Sequence, residues 1–390
     1  MRVLILDVGN SKCKVYVFDM QLQAIYADKA QCVYEITRPT PRSSPKELIN
    51  TCRTLVSNAI GDHSPDVGMV TAFGDAFIDT MYAYHKFVFA DEPAPDLPPY
   101  AYARTGFAEG TQLTSIRRLR KKYKGTKYDH ILPPNLYVAT QLTGNTDWKQ
   151  WDWVQAAISG EYDLVKDQWI VEDAFPVCAP CRVVGYFEGM PLLAGGLDNA
   201  FINNDSMQPY VIAGTWLVLG QPFKEFSPTQ EQEKAGIRWV LDGNRLYNAQ
   251  RVRKVSNPIT DAEVSQIIDD LCLTGAVPTK TPVLTAKSWG GKDADLEYKW
   301  GENPVRVFGG YAAELIEKLT DLNADYAFSL VGPPDRSDLY QHQQSALYVA
   351  SHYSPTVGVP SEDAIEMMRR KYELLGELAE ETGQFPEGWC

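Results

Sequence analysis

Two stretches of the chain share one pattern of apolar and polar positions. In residues 3–18 a short apolar run is followed by a polar Gly-Asn-Ser turn and a second apolar run. In residues 210–219 two apolar runs flank a Gly-Thr turn in the same way. Runs rich in β-branched and aromatic residues that are joined by a short polar turn predict β-hairpins. The repetition is a hint of duplication, although hairpins of this kind are common.

Helical spacing of apolar residues marks much of the remaining chain. Apolar side chains that recur every three or four residues predict amphipathic helices. The predicted helices are 46–60, 261–272, 310–320 and 362–382, together with 131–165, which is interrupted at 142–144. The other predicted segments are a strand over 67–73, an irregular loop rich in Pro and acid over 91–104, and a basic helix over 114–124. For the basic helix, a solvated face is favoured over a phosphate-binding patch.

Length and composition narrow the class of protein. The chain has 390 residues, of which 44% are hydrophobic and 22% charged, and this predicts a globular protein of two domains. It carries 37 Lys and Arg against 50 Asp and Glu, a formal net charge of −13. Affinity for nucleic acid comes mainly from Lys and Arg, so this balance argues against a nucleic-acid partner.

The sequence also bears on localisation. No run of about 18 apolar residues is present, so no membrane span is expected. The first apolar run stops at Asp7 after four residues, whereas a secretory segment needs roughly 7–15. The seven cysteines are scattered and odd in number, which does not predict a disulfide framework. Cys178 and Cys181 form a lone Cys-x-x-Cys pair, and no second pair completes a zinc site. We therefore expect a cytoplasmic protein.

The two predicted hairpins carry candidate chemistry. Asp7 ends an apolar run beside the first turn, where a carboxylate can hold a metal ion through water. The N–H groups of this turn and the Ser11 hydroxyl are donors for phosphate oxygens. Gly214 and Thr215 offer donors of the same kind. The alternative in both cases is an ordinary hairpin turn. Neither a P-loop nor a dinucleotide-binding fingerprint is present.

Two further segments combine glycines with a candidate function. Asp198 follows a Gly-Gly pair and is a candidate general base, with a helix N-cap as the alternative. Gly309 and Gly310 precede a predicted helix. Such a pair can lie flat against a planar ligand such as adenine, and a tight strand-to-helix connection is the alternative.

The order of these segments resembles that of the FGGY carbohydrate kinases, a branch of the actin-like and sugar-kinase ATPases. Residues 4–11 look like the first phosphate motif of the family, with Lys14 where the family often has Arg. Residues 70–75 look like its substrate-side segment, in a form closest to the L-fuculokinase and rhamnulokinase branch. Leu-Thr-Gly at 142–144, followed by an Asp and small residues, is also similar to the family. Residues 194–200 resemble the segment of the catalytic base, 213–216 the second phosphate motif and 309–310 the adenosine motif.

This resemblance implies an α/β fold of two actin-like (ribonuclease H-like) domains. Each would have a mixed central sheet flanked by helices, and the active site would lie in the interdomain cleft. Residues 1–205 would form the sugar-binding domain with the first phosphate motif. Residues 206–390 would form the nucleotide-binding domain, which is shorter than is usual in the family.

The implied activity is ATP- and Mg²⁺-dependent phosphorylation of a hydroxyl on a sugar or polyol, of the deoxy-sugar or ketose type. The resemblance implies catalytic roles for Asp198 as the general base and for Asp7, which would hold Mg²⁺ through water. The implied nucleotide-binding residues are Gly9, Asn10, Ser11, Lys14, Gly214, Thr215, Gly309 and Gly310. The implied sugar-binding residues are Gly74, Asp75, Asp152 and Asn199.

Two other functions stay open at this point. The shorter second half leaves room for a non-catalytic regulator that binds sugar or nucleotide on the same fold. An actin-like ATPase that acts on a protein partner is a further alternative, against which the substrate-side segment around Asp75 argues. A homodimer also stays open as the assembly.

Overall fold

The chain forms two compact units, each built around a six-stranded mixed sheet that is flanked by helices. The first unit is drawn from Met1–Phe201 and His342–Cys390, and the second from Ile202–Gln341. The predicted division between residues 205 and 206 stays a prediction. The computed structural model describes residues 1–9, 11–20, 30–72, 76–79, 86–89, 131–132, 134–145, 162–163, 168–169, 182–197, 201–203, 206–214, 216–225, 227–242, 246–256, 258–277, 304–321, 326–332 and 334–353.

The first sheet has the strand order β10-β11-β4-β1-β2-β3. β1 pairs antiparallel with β2 and parallel with β4, and β4 pairs parallel with β11. Its strands are β1 (Arg2–Val8), β2 (Lys12–Met20), β3 (Ala30–Pro39), β4 (Val67–Ala72), β10 (Arg182–Phe187) and β11 (Met190–Leu197). The helices of this unit are α1 (Pro45–His63), α2 (Pro134–Thr143) and most of α6 (Tyr340–His352).

The described residues of the first unit also form two small sheets. The three-stranded sheet has the order β6-β5-β7, and the two-stranded sheet pairs β8 with β9. Their strands are β5 (Ala76–Asp79), β6 (Lys86–Phe89), β7 (Ile131–Leu132), β8 (Tyr162–Asp163) and β9 (Gln168–Trp169).

The second sheet has the strand order β14-β15-β13-β12-β16-β17. Its strands are β12 (Tyr210–Ala213), β13 (Trp216–Phe223), β14 (Arg238–Leu241), β15 (Tyr247–Lys254), β16 (Val305–Phe308) and β17 (Phe328–Leu330). The helices of this unit are α3 (Gln230–Ala235), α4 (Asp261–Thr274), α5 (Ala312–Asp321) and a 3₁₀ turn over Pro334–Leu339.

Five strands of each sheet follow the same plan. Each sheet begins with three strands in which each strand is antiparallel to the next: β3, β2 and β1 in the first sheet and β15, β13 and β12 in the second. Two further strands then run parallel to the third: β4 and β11 in the first sheet, β16 and β17 in the second. The predicted hairpins are β1–β2 and β12–β13, and they occupy equivalent places in the two sheets. The duplication that the sequence pattern hinted at is therefore visible in the strand order.

A separate apolar core lies in each unit. In the first unit, alternate side chains of β1 and β2 pack with α1 and α2, as the buried Leu6, Val15 and Leu55 illustrate. In the second, β12 and β13 pack with α4 and α5 through residues such as Leu219 and Leu315. Alternation along a strand buries one face against helices, which explains the period of two in the apolar pattern.

Most predicted elements in the described part of the chain are confirmed, and one is partly wrong. Within the predicted helix 131–165, the described residues form α2, β7 and β8, and residues 146–161 lie outside the described part of the chain. Pro133 and Pro134 explain the late start, because proline disfavours helix in the preceding residue and is favoured in the first turn. The predicted break is confirmed, since α2 ends at Thr143 and Gly144 has φ +71°.

Three other predicted segments, 91–104, 114–124 and 362–382, lie outside the described residues. Among the helices that the structure describes, none is long and apolar enough to cross a membrane.

Candidate active site

Asp7 is a buried carboxylate near the end of a central strand. It lies on β1, in register with Lys14 of β2 and Thr71 of β4, and it is 6% exposed. The Thr71 hydroxyl is buried as well and has no hydrogen-bond partner among the described residues. Neighbouring strands place side chains in register on the same face, so these three residues form a polar group on one face of the sheet. Burying a carboxylate is costly unless a partner or a ligand compensates it.

The turn that follows Asp7 is tightly constrained. The Gly9 N–H donates to the Lys12 carbonyl at 3.0 Å, and the Thr40 hydroxyl donates to the Gly9 carbonyl at 2.6 Å. A Cβ on Gly9 would lie 2.6 Å from the Lys12 carbonyl oxygen and 3.6 Å from Asp7 Oδ2. Only glycine fits there without displacing backbone. Ser11, at the other side of the turn, is exposed.

A pair of buried thiols lies beneath this turn. Cys13 Sγ is 3.5 Å from the Thr40 hydroxyl oxygen, and Cys52 of α1 is its other neighbour. A hydrogen bond from Cys52 lowers the pKa of Cys13, and the same bond raises the pKa of Cys52 well above its ordinary value. Both side chains are fully buried, and buried structural thiols are chemically unreactive. We interpret the pair as packing that supports the turn.

A histidine from the last described helix lies on the same face as Asp7. His342 Nε2 of α6 is 3.9 Å from Asp7 Oδ2. Its ring stacks on Tyr16 of β2, with ring centroids 4.5 Å apart and an interplanar angle of 26°. The Nζ of Lys14 lies 5.8 Å from the centroid of the same tyrosine ring. The candidate site thus contains a buried carboxylate, an imidazole and a lysine.

Three parallel strands of the first sheet end at one edge. Val8 of β1 is in register with Ala72 of β4, and Ala72 is in register with Leu197 of β11. The carboxyl ends of parallel strands carry the ligand-binding loops of open α/β sheets. The segments that follow these strands therefore begin at the edge where Asp7 lies.

A bulge interrupts β11 just before this edge. The register between β11 and β4 shifts between Ala194 and Leu197. A Cβ on Gly195 would lie 2.8 Å from the Val70 carbonyl oxygen, so the group that approaches this glycine is the neighbouring strand. The amide of Asn135, a buried residue of α2, donates to the Gly195 carbonyl. Bulges are common beside active sites because they re-aim the side chains that follow.

The second hairpin and the Gly-Gly turn come together in the second unit. β16 pairs parallel with β12, and the turn after β16 folds over the end of β12. The Tyr311 N–H donates to the Ala213 carbonyl at 2.9 Å, and the Gly309 N–H donates to the Ser337 carbonyl at 3.2 Å. Gly309 has φ +111°, and a Cβ there would lie 2.5 Å from the Ala213 carbonyl oxygen. Two predicted motifs far apart in sequence are thus adjacent in space.

An exposed aromatic ring begins the strand that follows the second hairpin turn, and basic residues lie on the neighbouring strand β15. Trp216 is 46% exposed and in register with Lys254 of β15, which is also exposed. Arg253, the residue before Lys254, is bound through its guanidinium to the fully buried Asp270 carboxylate of α4. This hydrogen bond raises the pKa of Arg253. Arg253 therefore binds Asp270, whereas Lys254 is the last residue of β15 and lies opposite Trp216, beside the second hairpin turn.

No profile of a known protein family matches the chain, and no curated protein matches its sequence. Solved structures match it over nearly its whole length. Gluconate kinase from Lactobacillus acidophilus is 9% identical, with 97% of each chain covered and a TM-score of 0.59. Xylulose kinase from the same organism is 11% identical, with 98% of each chain covered and a TM-score of 0.58. Xylulose kinase from Rhodospirillum rubrum is 14% identical, with 97% of this chain and 98% of its own covered and a TM-score of 0.55.

The chain has the actin-like fold of these sugar kinases. The predicted fold class, α/β with two mixed sheets flanked by helices, is confirmed. Identities this low establish the fold alone, because one fold hosts many functions.

Some of the predicted site residues lie in the described part of the chain, and others lie outside it. The structure describes Asp7, Gly9, Ser11 and Lys14 in the first unit and Gly214, Gly309 and Gly310 in the second. Their predicted roles stay predictions. The predicted residues outside the described part of the chain are Asn10, Gly74, Asp75, Asp152, Asp198, Asn199 and Thr215, and the Cys178–Cys181 pair lies outside it as well.

Sequence reasoning did not find His342 or Asn135. Both are buried polar residues on helices, and each reaches its partner only through the tertiary fold. The short polar segment around His342 gives no periodic signal that would single it out. Asn135 carried a weak signal, since it is a polar residue in the apolar first turn of α2.

Proposed function

We propose that the protein is a kinase that transfers phosphate from ATP to a hydroxyl of a sugar or polyol, of the deoxy-sugar or ketose type. One observation carries the proposal. The buried Asp7 carboxylate lies beside a glycine turn, at the edge where the three parallel strands of the mixed sheet end, in a fold that gluconate and xylulose kinases share. A single carboxylate at this place suits the charge neutralisation that phosphoryl transfer needs.

The residues present fit a magnesium ion. Among the described residues no group of three His, Cys, Asp or Glu side chains could form a complete metal cage. Mg²⁺ keeps several waters and is usually bound through one or two carboxylates together with phosphates of the substrate. The buried carboxylate of Asp7 is a donor of this kind. Asp7 would hold the ion through water, and the ion would neutralise charge on the transferred phosphate.

The two turns supply donors for the phosphates. Ser11 and Lys14 would bind phosphate oxygens at the first hairpin, with Asn10 beside them, and Gly9 would shape the turn through its own backbone hydrogen bonds. Gly214 and Thr215 would do the same at the second hairpin. Backbone N–H groups in tight turns form concave sites for anions. The close approach of the Gly309 turn to Ala213 supports a place for adenosine next to the second turn, with Gly310 on its exposed side.

Asp198 would act as the general base. It directly follows Leu197, the last residue of β11, whose end is in register with the strand next to β1. A sugar hydroxyl is a poor nucleophile at neutral pH, so an acceptor for its proton is required as attack proceeds. The bulge at Gly195, held by Asn135, supports this role because it sets the direction of the chain just before the aspartate. Asp75, Asp152, Gly74 and Asn199 would contact the sugar.

The finer assignments follow the resemblance of the sequence motifs. Within the sugar kinases we place the chain nearest to the L-fuculokinase and rhamnulokinase branch, with a shortened nucleotide-binding domain over 206–390. A cytoplasmic enzyme, in which a homodimer stays open, is the setting that we propose.

Turnover of a panel of sugars and polyols with ATP and Mg²⁺ tests the proposal. Asp198→Asn should lower kcat by more than about 10³-fold while the protein stays folded. Asp62→Asn, a change on the exposed side of α1 in the same unit, is the matched control and should leave the rate unchanged. An undiminished rate in Asp198→Asn would refute the assignment of the base. Calorimetry that found sugar binding without nucleotide binding would instead support a non-catalytic regulator.

A further inference from the structure

The imidazole of His342 lies beside the carboxylate to which the proposed function assigns magnesium. The separation of His342 Nε2 and Asp7 Oδ2 is 3.9 Å, and the two side chains are 2% and 8% exposed. An ionised carboxylate oxygen only accepts hydrogen bonds, and a ring nitrogen of an imidazole can donate one. The separation is longer than a direct hydrogen bond, so the two groups are neighbours across the buried face of the sheet.

Neighbouring side chains hold the imidazole ring in place. Its stacking partner, Tyr16, is fully buried on β2. The helix that carries His342 is fixed to the same unit by Gln343, whose amide donates to the Ala30 carbonyl at 3.1 Å. Further along the helix the ring of Tyr348 packs on Phe201, with centroids 4.2 Å apart. The helix therefore presents the ring to the sheet in a defined place.

We infer that His342 is a positioning residue for Asp7, which fixes the orientation of the carboxylate at the first hairpin turn for the magnesium–nucleotide complex. The inference deepens the proposed function and rests on it. Groups that hold a metal-binding carboxylate or imidazole in place commonly change metal affinity by 10- to 100-fold when they are removed. The stacking on Tyr16 is what makes the ring suitable, since it fixes the ring plane independently of the carboxylate.

Two substitutions separate positioning from packing. His342→Phe keeps an aromatic ring against Tyr16 but removes the ring nitrogen that faces Asp7. His342→Gln loses the ring but keeps an N–H donor of similar reach. We expect calorimetric titration with MgADP to show affinity about 10- to 100-fold weaker for His342→Phe and within about 3-fold of wild type for His342→Gln. If packing were the only role, the order of the two variants would be reversed.

A second measurement needs no His342 variant. The chain has five histidines, so ¹⁵N-histidine labelling gives a small set of imidazole signals. We expect the signal of His342 to shift when MgADP is added to the wild type, and to shift much less in Asp7→Asn. A His342 signal that ignores MgADP bound by the wild type would overturn the inference while leaving the proposed function intact. A wild type that binds no MgADP and phosphorylates no sugar would overturn the proposed function, and the inference with it.

Discussion

Replacing Gly309 by alanine should destabilise the second unit and weaken nucleotide binding together. Two costs add at this residue. Its φ of +111° is a region that residues with a side chain rarely adopt, and holding alanine there costs about 1–3 kcal/mol. The new methyl group would also lie 2.5 Å from the Ala213 carbonyl oxygen, and overpacking of this kind costs about 1–3 kcal/mol. We therefore expect a loss of about 2–6 kcal/mol.

The clash is with backbone, so a side-chain rotation cannot relieve it. The turn would have to move away from the end of β12, and the bond from the Tyr311 N–H to the Ala213 carbonyl would lengthen or break. Gly214 directly follows Ala213, so this movement would also disturb the turn that we propose binds phosphate. Affinity for MgADP should accordingly fall along with stability.

Gly310→Ala is the matched control for stability. Gly310 is exposed, has no positive φ, and has nothing within 4 Å of an added Cβ. Its effect should stay within about 0.5 kcal/mol. Urea unfolding gives the stabilities of both variants, and thermal melting of Gly309→Ala should fall by roughly 5–20 °C. If the two variants unfold alike, the close approach of this turn to β12 is refuted.

Two other predictions concern single elements of the fold. Gly9→Ala should lower the free energy of unfolding by about 1–3 kcal/mol, since its Cβ would lie 2.6 Å from the Lys12 carbonyl oxygen. The control is Gly61→Ala, in α1 with open space around it, which should raise the free energy of unfolding by about 0.5–1 kcal/mol. Equal shifts of the melting temperature in the two variants would contradict the turn geometry. Hydrogen bonds, first from the Ser256 side chain, lower the pKa of Glu263 to about 2 from its ordinary 4.5. The stability that it contributes is therefore complete above about pH 4.5 and is lost as pH falls toward about 2. The melting temperature of wild type should exceed that of Glu263→Gln by more at about pH 6 than at about pH 3, and an unchanged gap would disprove this linkage.

The parts of the site that could be predicted from sequence are those set by local chemistry. The first hairpin and its turn follow from β-rich runs around Gly9, and the Gly309 turn follows from a strand, two glycines and an amphipathic helix. These signals need only neighbours in sequence. The limit of such reasoning shows in the helix predicted over 131–165, where apolar spacing outweighed two adjacent prolines and the helix was extended too far.

The remaining parts depend on contacts that no local pattern encodes. Asn135 reaches Gly195 across a separation of 60 residues, and His342 reaches Asp7 from the last described helix. Whether a polar side chain on a helix is buried depends on which sheet the helix packs against. The sheet against which a helix packs depends on the whole fold, so in the sequence alone His342 is one polar residue among others.

The division of the chain has a consequence for the order of folding during synthesis. The second unit is continuous, whereas the first includes most of α6, whose residues from His342 onward are translated only after the whole of Ile202–Gln341. At 5–20 residues per second the ribosome takes roughly 10–30 s to cover that interval. During this time Tyr16 and Phe201 lack the rings of His342 and Tyr348 that cover them in the finished protein. The nascent chain therefore exposes the ring of Tyr16, close to Asp7, until α6 is made.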